Sequence, residues 1–231
     1  MRKKIRVLFL VTFTIPSIGV YSQRYSTRLD SGWEYMKGDL GGAWEAVRSA
    51  GRGSPESVPQ WTPVTLPHCF NAYDAVDPDQ PYYQGPGWYR SHLPINNPFF
   101  NGRTLLHFEG AGQKTEVYVY LTKVGSHVGG YDEWTVDITE AVAQFRQTDL
   151  FKTKFNGTIP IIIRCDNSRD LEMIPSSLSD FNLYGGIYRY LNLEYVPALS
   201  IGNVSASQRV EEDGSSATLN IQAAFVNAGS V

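Results

Sequence analysis

Apolar positions recur with a period of two along most of this chain, in short runs separated by Gly, Pro, Asn and Asp. Trp134, Val136 and Ile138 alternate with Glu133, Thr135 and Asp137, which predicts a strand with one buried face. Val117, Val119 and Leu121 alternate with Tyr118 and Tyr120, giving one aliphatic and one aromatic face. The run 158–164 is almost entirely apolar, the pattern of a strand covered on both sides, with Pro160 near its start or at an edge. Trp88–Leu93, Arg103–Glu109 and Ile187–Val196 read as further strands. Only Thr139–Phe145 carries a helical pattern, with Thr139 as its expected cap. Many short strands with so little helix predict an all-β fold, a sandwich or jelly roll. A boundary is expected near Pro197, because Ile201–Ser207 and Ala217–Val226 read as two more strands. An isolated hairpin cannot close a core, so the chain is expected to stop a short way into a second β domain.

The first residues read differently. Arg2, Lys3, Lys4 and Arg6 precede an apolar run from Val7 to Val20, and Ser22 supplies a small residue for cleavage. This predicts a secretory signal over residues 1–22, since a membrane span needs ~20 apolar residues. The product is expected to be exported, periplasmic or extracellular, with no membrane span. A net charge of -3, mixed along the chain, leaves no basic stripe and argues against nucleic-acid binding. Aromatic residues make up 13% of the chain, including 14 tyrosines, which favours a β domain with ring-lined surfaces. Export permits a disulfide between Cys69 and Cys165, but spacing alone cannot bring their Cα atoms into range, and two separate buried thiols are the favoured expectation. Two cysteines without clustered histidines make no zinc site, and no metal or cofactor is expected.

The candidate chemistry lies in two aromatic corners. Asp180-Phe-Asn-Leu-Tyr-Gly-Gly-Ile-Tyr-Arg189 places a carboxylate, an amide, two tyrosines and an arginine around a Gly-Gly turn. Tyr82-Tyr-Gln-Gly-Pro-Gly-Trp-Tyr-Arg90 repeats the recipe with Gln84 as its amide. Polar groups beside rings suit sugars, whose hydroxyls need hydrogen bonds and whose C–H faces stack on rings. Asp180 also fits a turn aspartate, Trp88 a core residue, and His68 a hydrogen-bonded structural histidine rather than a base. The glycines of 125–130 read as a hairpin or bulge, not a phosphate cradle. Glycoside hydrolysis needs two flanking carboxyl groups, and the spacing of Asp180, Asp166 and Glu109 nominates no pair. The residues describe a binding surface without a catalytic centre.

Trp61 with Leu66-Pro-His68, Tyr83-Gln-Gly-Pro-Gly-Trp-Tyr-Arg90, Val117-Tyr-Val-Tyr-Leu121 with Gly125 to Tyr131, Arg164-Cys-Asp-Asn-Ser168 and Asp180 to Arg189 occur in an order that resembles the N-terminal sugar-binding domain of glycoside hydrolase family 2. The resemblance spans about residues 30–197 and looks nearest to the β-galactosidase-like branch, with β-glucuronidases and β-mannosidases sharing the layout. It implies a galactose-binding-domain-like jelly roll over 23–197, then the first strands of an immunoglobulin-like sandwich over 198–231. The family's catalytic glutamates lie in a barrel with no counterpart here, so no catalytic residue carries over and the chain alone is expected to be inactive. Asp180 matches an acid that reaches the barrel's sugar subsite. Gln84 stands where the family has an asparagine, which keeps an amide but departs from the pattern. The expected partners are a terminal β-glycoside and the missing barrel. A free-standing carbohydrate-binding module, with Tyr118 and Tyr120 as its ring face, and a truncated remnant both stay open.

Overall fold

A computed structural model describes residues 24–48, 59–176 and 181–228. The expected signal segment lies outside the described residues, and so does Asp180. Among the described residues, two antiparallel sheets form the body of the molecule. One has four strands in the order β1 (Tyr25–Arg28), β12 (Leu191–Val196), β6 (Arg103–Phe108) and β9 (Trp134–Asp137). The other has six, in the order β3 (Thr62–Val64), β2 (Trp33–Lys37), β5 (Pro86–Leu93), β10 (Ile159–Asp166), β7 (Lys114–Val119) and β8 (Thr122–Val128). This is the all-β jelly-roll sandwich that the alternating pattern predicts.

The core lies between the sheets. Leu106, Phe108, Val136, Leu191 and Leu193 from the smaller sheet pack in one cluster with Tyr89, Val117, Val119, Ile161 and Ile163 from the larger. β10 is central, paired with β5 and β7, and the other face of the larger sheet is covered too. On that face Ile162 and Met36 are buried, and Arg90 donates a 2.8 Å bond to the Ala46 carbonyl of the short helix α1 (Ala43–Val47). Covering on both faces explains why β10 reads as continuous Ile rather than as an alternation. Pro160 is the second residue of β10, where a missing N–H costs least.

Local departures from the pattern have local causes. The stretch expected as one strand over 187–196 divides into β11 (Gly186–Ile187), which pairs with β4 (His68–Cys69), and β12. The division falls where Tyr188 turns to donate a 2.6 Å bond to the Gly130 carbonyl. The helix over Thr139–Arg146 (α2) forms, but Ile138 occupies its N-cap and no side chain caps it. Thr139 instead serves the sheet, accepting a bond from the Thr104 amide at 2.8 Å. A third short helix, α3 (Asp149–Thr153), follows α2 without a strong apolar pattern. Leu121 leaves the aliphatic face because the chain turns at Tyr120, which has φ 54, and Leu121 is exposed in that turn. The aromatic face is half-covered: Tyr120 packs on Phe145 and Phe155, and Tyr118 stacks on Trp88.

Beyond Val196, β13 (Leu199–Val210) and β14 (Ala217–Asn227) pair into a long antiparallel hairpin. The register places Ile201, Val204, Val210, Leu219, Ile221 and Phe225 on one side, and Asn203, Ser205, Ser207, Arg209, Thr218 and Asn220 on the other. The apolar side is exposed throughout, as expected of two strands that cannot bury themselves.

At the end of β10, Asp166 accepts 2.7 Å bonds from Arg164 Nη2 and from the Ser168 amide. Burial alone raises its carboxyl, but the Ser168 bonds and the Arg164 guanidinium outweigh burial and hold it below the usual aspartate range. A carboxyl depressed in the folded state adds stability above its unfolded pKa and loses it as pH falls toward the folded one. Urea midpoints are therefore expected to fall more steeply below about pH 4 in the native chain than in Asp166→Asn. Parallel pH profiles for the two proteins refute this assignment.

Candidate sugar-binding site

Two buried asparagines build the candidate site. Asn71 lies just past β4 and Asn167 just past β10, with relative exposures of 1% and 0%. The Asn71 amide donates to the Leu183 carbonyl at 2.8 Å and to the Tyr83 carbonyl at 3.4 Å, while its Oδ1 accepts from the Gly185 amide at 2.8 Å. Asn167 donates to the same two carbonyls at 2.8 and 3.1 Å, and its Oδ1 accepts from the Gly85 amide at 2.8 Å. Each side chain thus fastens the corner at 83–85 to the corner at 183–185. Tyr82 adds a third tie, its hydroxyl accepting from the Leu183 amide at 2.6 Å and donating to the Leu183 carbonyl at 3.2 Å. Loop backbone buried in this way must be paired, and here two side-chain amides do the pairing that a sheet would otherwise supply.

Between the fastened corners lies an open cavity of about 540 Å³, lined by Asp74, Tyr82, Gln84, Arg169, Phe181 and Asn182 together with Ala75 and Leu183. Gln84 lines it and is exposed. Asp180 lies outside the described residues, and Phe181, which follows it in sequence, forms part of the wall. Asp74 accepts a 2.8 Å bond from the Tyr83 amide, which holds the carboxylate at the cavity. Phe181 is 72% exposed and Tyr82 37%, and both line the cavity. Among the described residues the cavity carries a single carboxylate, and two are needed to break a glycosidic bond. The arrangement offers hydrogen-bond partners and ring faces of the kind that suit a hydroxylated ring.

Other sequence candidates serve the fold. His68 Nδ1 lies 2.8 Å from the Tyr89 hydroxyl, and burial lowers its pKa, which disfavours the charged form. Trp88 is a core residue. Cys69 and Cys165 are free thiols, the latter fully buried and pushed up to about 12 by that burial. Among the described residues no cluster of His, Cys, Asp or Glu is suited to a metal, and no helix is long and apolar enough to cross a membrane. Sequence reasoning missed Asn71, Asn167, Asp74 and Arg169. Each is a single polar residue in a loop, and no period or spacing distinguishes a buried Asn from a solvated one. The one available signal was that Asn167 directly follows the buried end of β10 and Asn71 lies two residues past the half-buried β4.

No protein-family model matches the chain. Solved structures do: β-glucuronidase 3 of Bacteroides uniformis and a β-glucuronidase of Parabacteroides merdae each share 59% identity with it, with a TM-score of 0.83 over 88% of this chain and 26% of theirs. A β-galactosidase of Thermoanaerobacter pseudethanolicus is 28% identical over 174 residues, 74% of this chain and 21% of that enzyme. The chain spans only about a fifth to a quarter of the length of the relatives it matches, 20% in one case and 26% in another.

Proposed function

The chain belongs to glycoside hydrolase family 2, as a homologue of the N-terminal portion of its enzymes, and on that premise we propose that it is the sugar-binding part of an exported β-glucuronidase. The carrying observation is the 59% identity over 88% of the chain to proteins described as β-glucuronidases. It moves the reading away from the β-galactosidase branch that the motifs alone suggest, because the β-galactosidase relative stands at 28%. In this reading the cavity between the corners shapes the sugar subsite, with Gln84 and Asp180 as polar contacts to substrate hydroxyls. The residues from about 198 onward, on β13 and β14, open an immunoglobulin-like domain. The reaction itself, hydrolysis of a terminal β-glycoside, uses carboxyl groups outside this chain.

The alternative of a free-standing binding module loses part of its support, since Tyr118 and Tyr120 are half-buried against Trp88, Phe145 and Phe155. The test compares the purified chain with the longer product of its reading frame on aryl β-glucuronide and aryl β-galactoside. The chain alone is expected to turn over neither, and the longer product to prefer the glucuronide. A preference for the galactoside, or a frame that supplies no catalytic barrel, overturns the reading.

A further inference from the structure

We propose that Tyr131, on the loop between β8 and β9, is a positioning residue that sets the Asn182 side of the candidate sugar cavity from outside it. The inference rests on the sugar-binding reading above and adds a residue that acts on the cavity through another. Tyr131 is outside the residues that line the cavity, yet its hydroxyl donates to the Asn182 carbonyl at 3.4 Å, and Asn182 is one of them. Its ring centroid lies 6.1 Å from that of Tyr188. Tyr188 in turn donates a 2.6 Å bond to the Gly130 carbonyl, so the loop grips the stretch 182–188 at two points. The approach is close because residue 130 has no side chain: a Cβ there would lie 2.4 Å from the Tyr188 hydroxyl. Asn71, Asn167 and Tyr82 tie this corner to the one at 83–85, and the loop ties it to a third part of the chain.

The loop is itself anchored to the core. Phe108, fully buried, stacks on Trp134 with ring centroids 4.3 Å apart, and Trp134 stacks on His127 at 4.9 Å. His127 Nε2 lies 3.1 Å from Asp132 Oδ2, and this contact holds the Asp132 carboxyl below the usual aspartate range. Asp132 adjoins Tyr131, so a stacked series that begins in the core ends at the residue beside it. Asn182 is exposed. An exposed loop residue left untied samples many conformations, and ordering it on binding costs affinity. Holding its backbone beforehand removes that cost without any contact to the ligand. The effect then falls on KM rather than on kcat, since it is the same in the ground state and the transition state.

The test measures kcat and KM of the longer product of the reading frame, on the aryl glycoside that the native protein turns over fastest, together with hydrogen exchange in the full chain. Tyr131→Phe keeps the ring and removes the hydroxyl, and is expected to raise KM about fivefold with kcat unchanged, as for one lost hydrogen bond. Asp132→Ala releases the loop from His127 and is expected to raise KM about threefold. The double variant is expected to be no worse than Tyr131→Phe alone, because both substitutions cut one path. In the full chain, Tyr131→Phe is expected to speed exchange at the Leu183 and Gly185 amides while leaving β10 unchanged. Tyr131 and Asp132 are exposed, so the variants are expected to fold, and circular dichroism checks this. An unchanged KM in Tyr131→Phe, a fall in kcat instead, effects of the two substitutions that multiply, or unchanged exchange overturns the proposal. A longer product inactive on every aryl glycoside defeats the enzymatic reading, and the exchange measurement then decides the proposal by itself.

Discussion

Replacing Gly186 with alanine is expected to destabilise the chain by roughly 4 kcal/mol, the sum of a backbone and a packing cost. Gly186 has φ +117, a conformation that L side chains rarely adopt. A Cβ there would lie 2.5 Å from the His68 carbonyl oxygen and 2.5 Å from the Tyr89 hydroxyl. Neither neighbour can yield cheaply. His68 is held in register by the pairing of β4 with β11, and Tyr89 is fully buried with its hydroxyl against His68 Nδ1. Gly38 provides the control, with φ +106 and open space where its Cβ would lie. Gly38→Ala carries only the backbone cost, about 1–2 kcal/mol. Urea denaturation of both variants separates the two contributions. Equal losses would mean that the contact with His68 and Tyr89 carries no energy.

Asn167→Ala is expected to cost about 3 kcal/mol and to loosen the cavity as well. Its amide makes three hydrogen bonds in a fully buried position, and their partners do not lose equally. The Leu183 carbonyl keeps Asn71 and Tyr82 as donors, and the Tyr83 carbonyl keeps Asn71. The buried Gly85 amide loses the partner that Asn167 Oδ1 provides, and an unpaired buried donor is the expensive outcome. The corner that bears Gln84 is then free to move relative to the corner that bears Phe181. Hydrogen exchange at Gly85 and Leu183 should therefore rise in the variant by more than exchange in β10. Unchanged protection at both amides, with stability within 1 kcal/mol of native, would remove Asn167 from the role assigned here.

The two substitutions act on one architectural fact. The cavity is made of loop backbone from two distant parts of the chain, and it exists because buried amides and a crowded glycine hold the parts together. Gly185 shows the same crowding, since a Cβ there would lie 2.1 Å from Phe70. The Gly-Gly turn of the sequence is thus required for close approach as well as for its backbone angles. Its role as a turn was legible in the sequence, but its packing against Phe70 was not, because Phe70 lies more than a hundred residues earlier.

What the sequence determined by itself is the kind of fold and the position of most strands. Alternation in Trp134–Ile138 and the unbroken Ile run of β10 report one-sided and two-sided burial directly, because side chains in a strand point to opposite faces residue by residue. The amphipathic hairpin of β13 and β14 was legible for the same reason. Five ordered motifs also carried the family. Tertiary structure alone decided which polar residues matter at the cavity. It buried Asn71 and Asn167 and half-covered the Tyr118 and Tyr120 face with Phe145 of α2, Phe155 and Trp88. These outcomes depend on contacts between residues far apart in the chain. A single asparagine or arginine in a loop carries no period, so only the packed neighbours determine whether it is a tie, a ligand contact or a solvated side chain.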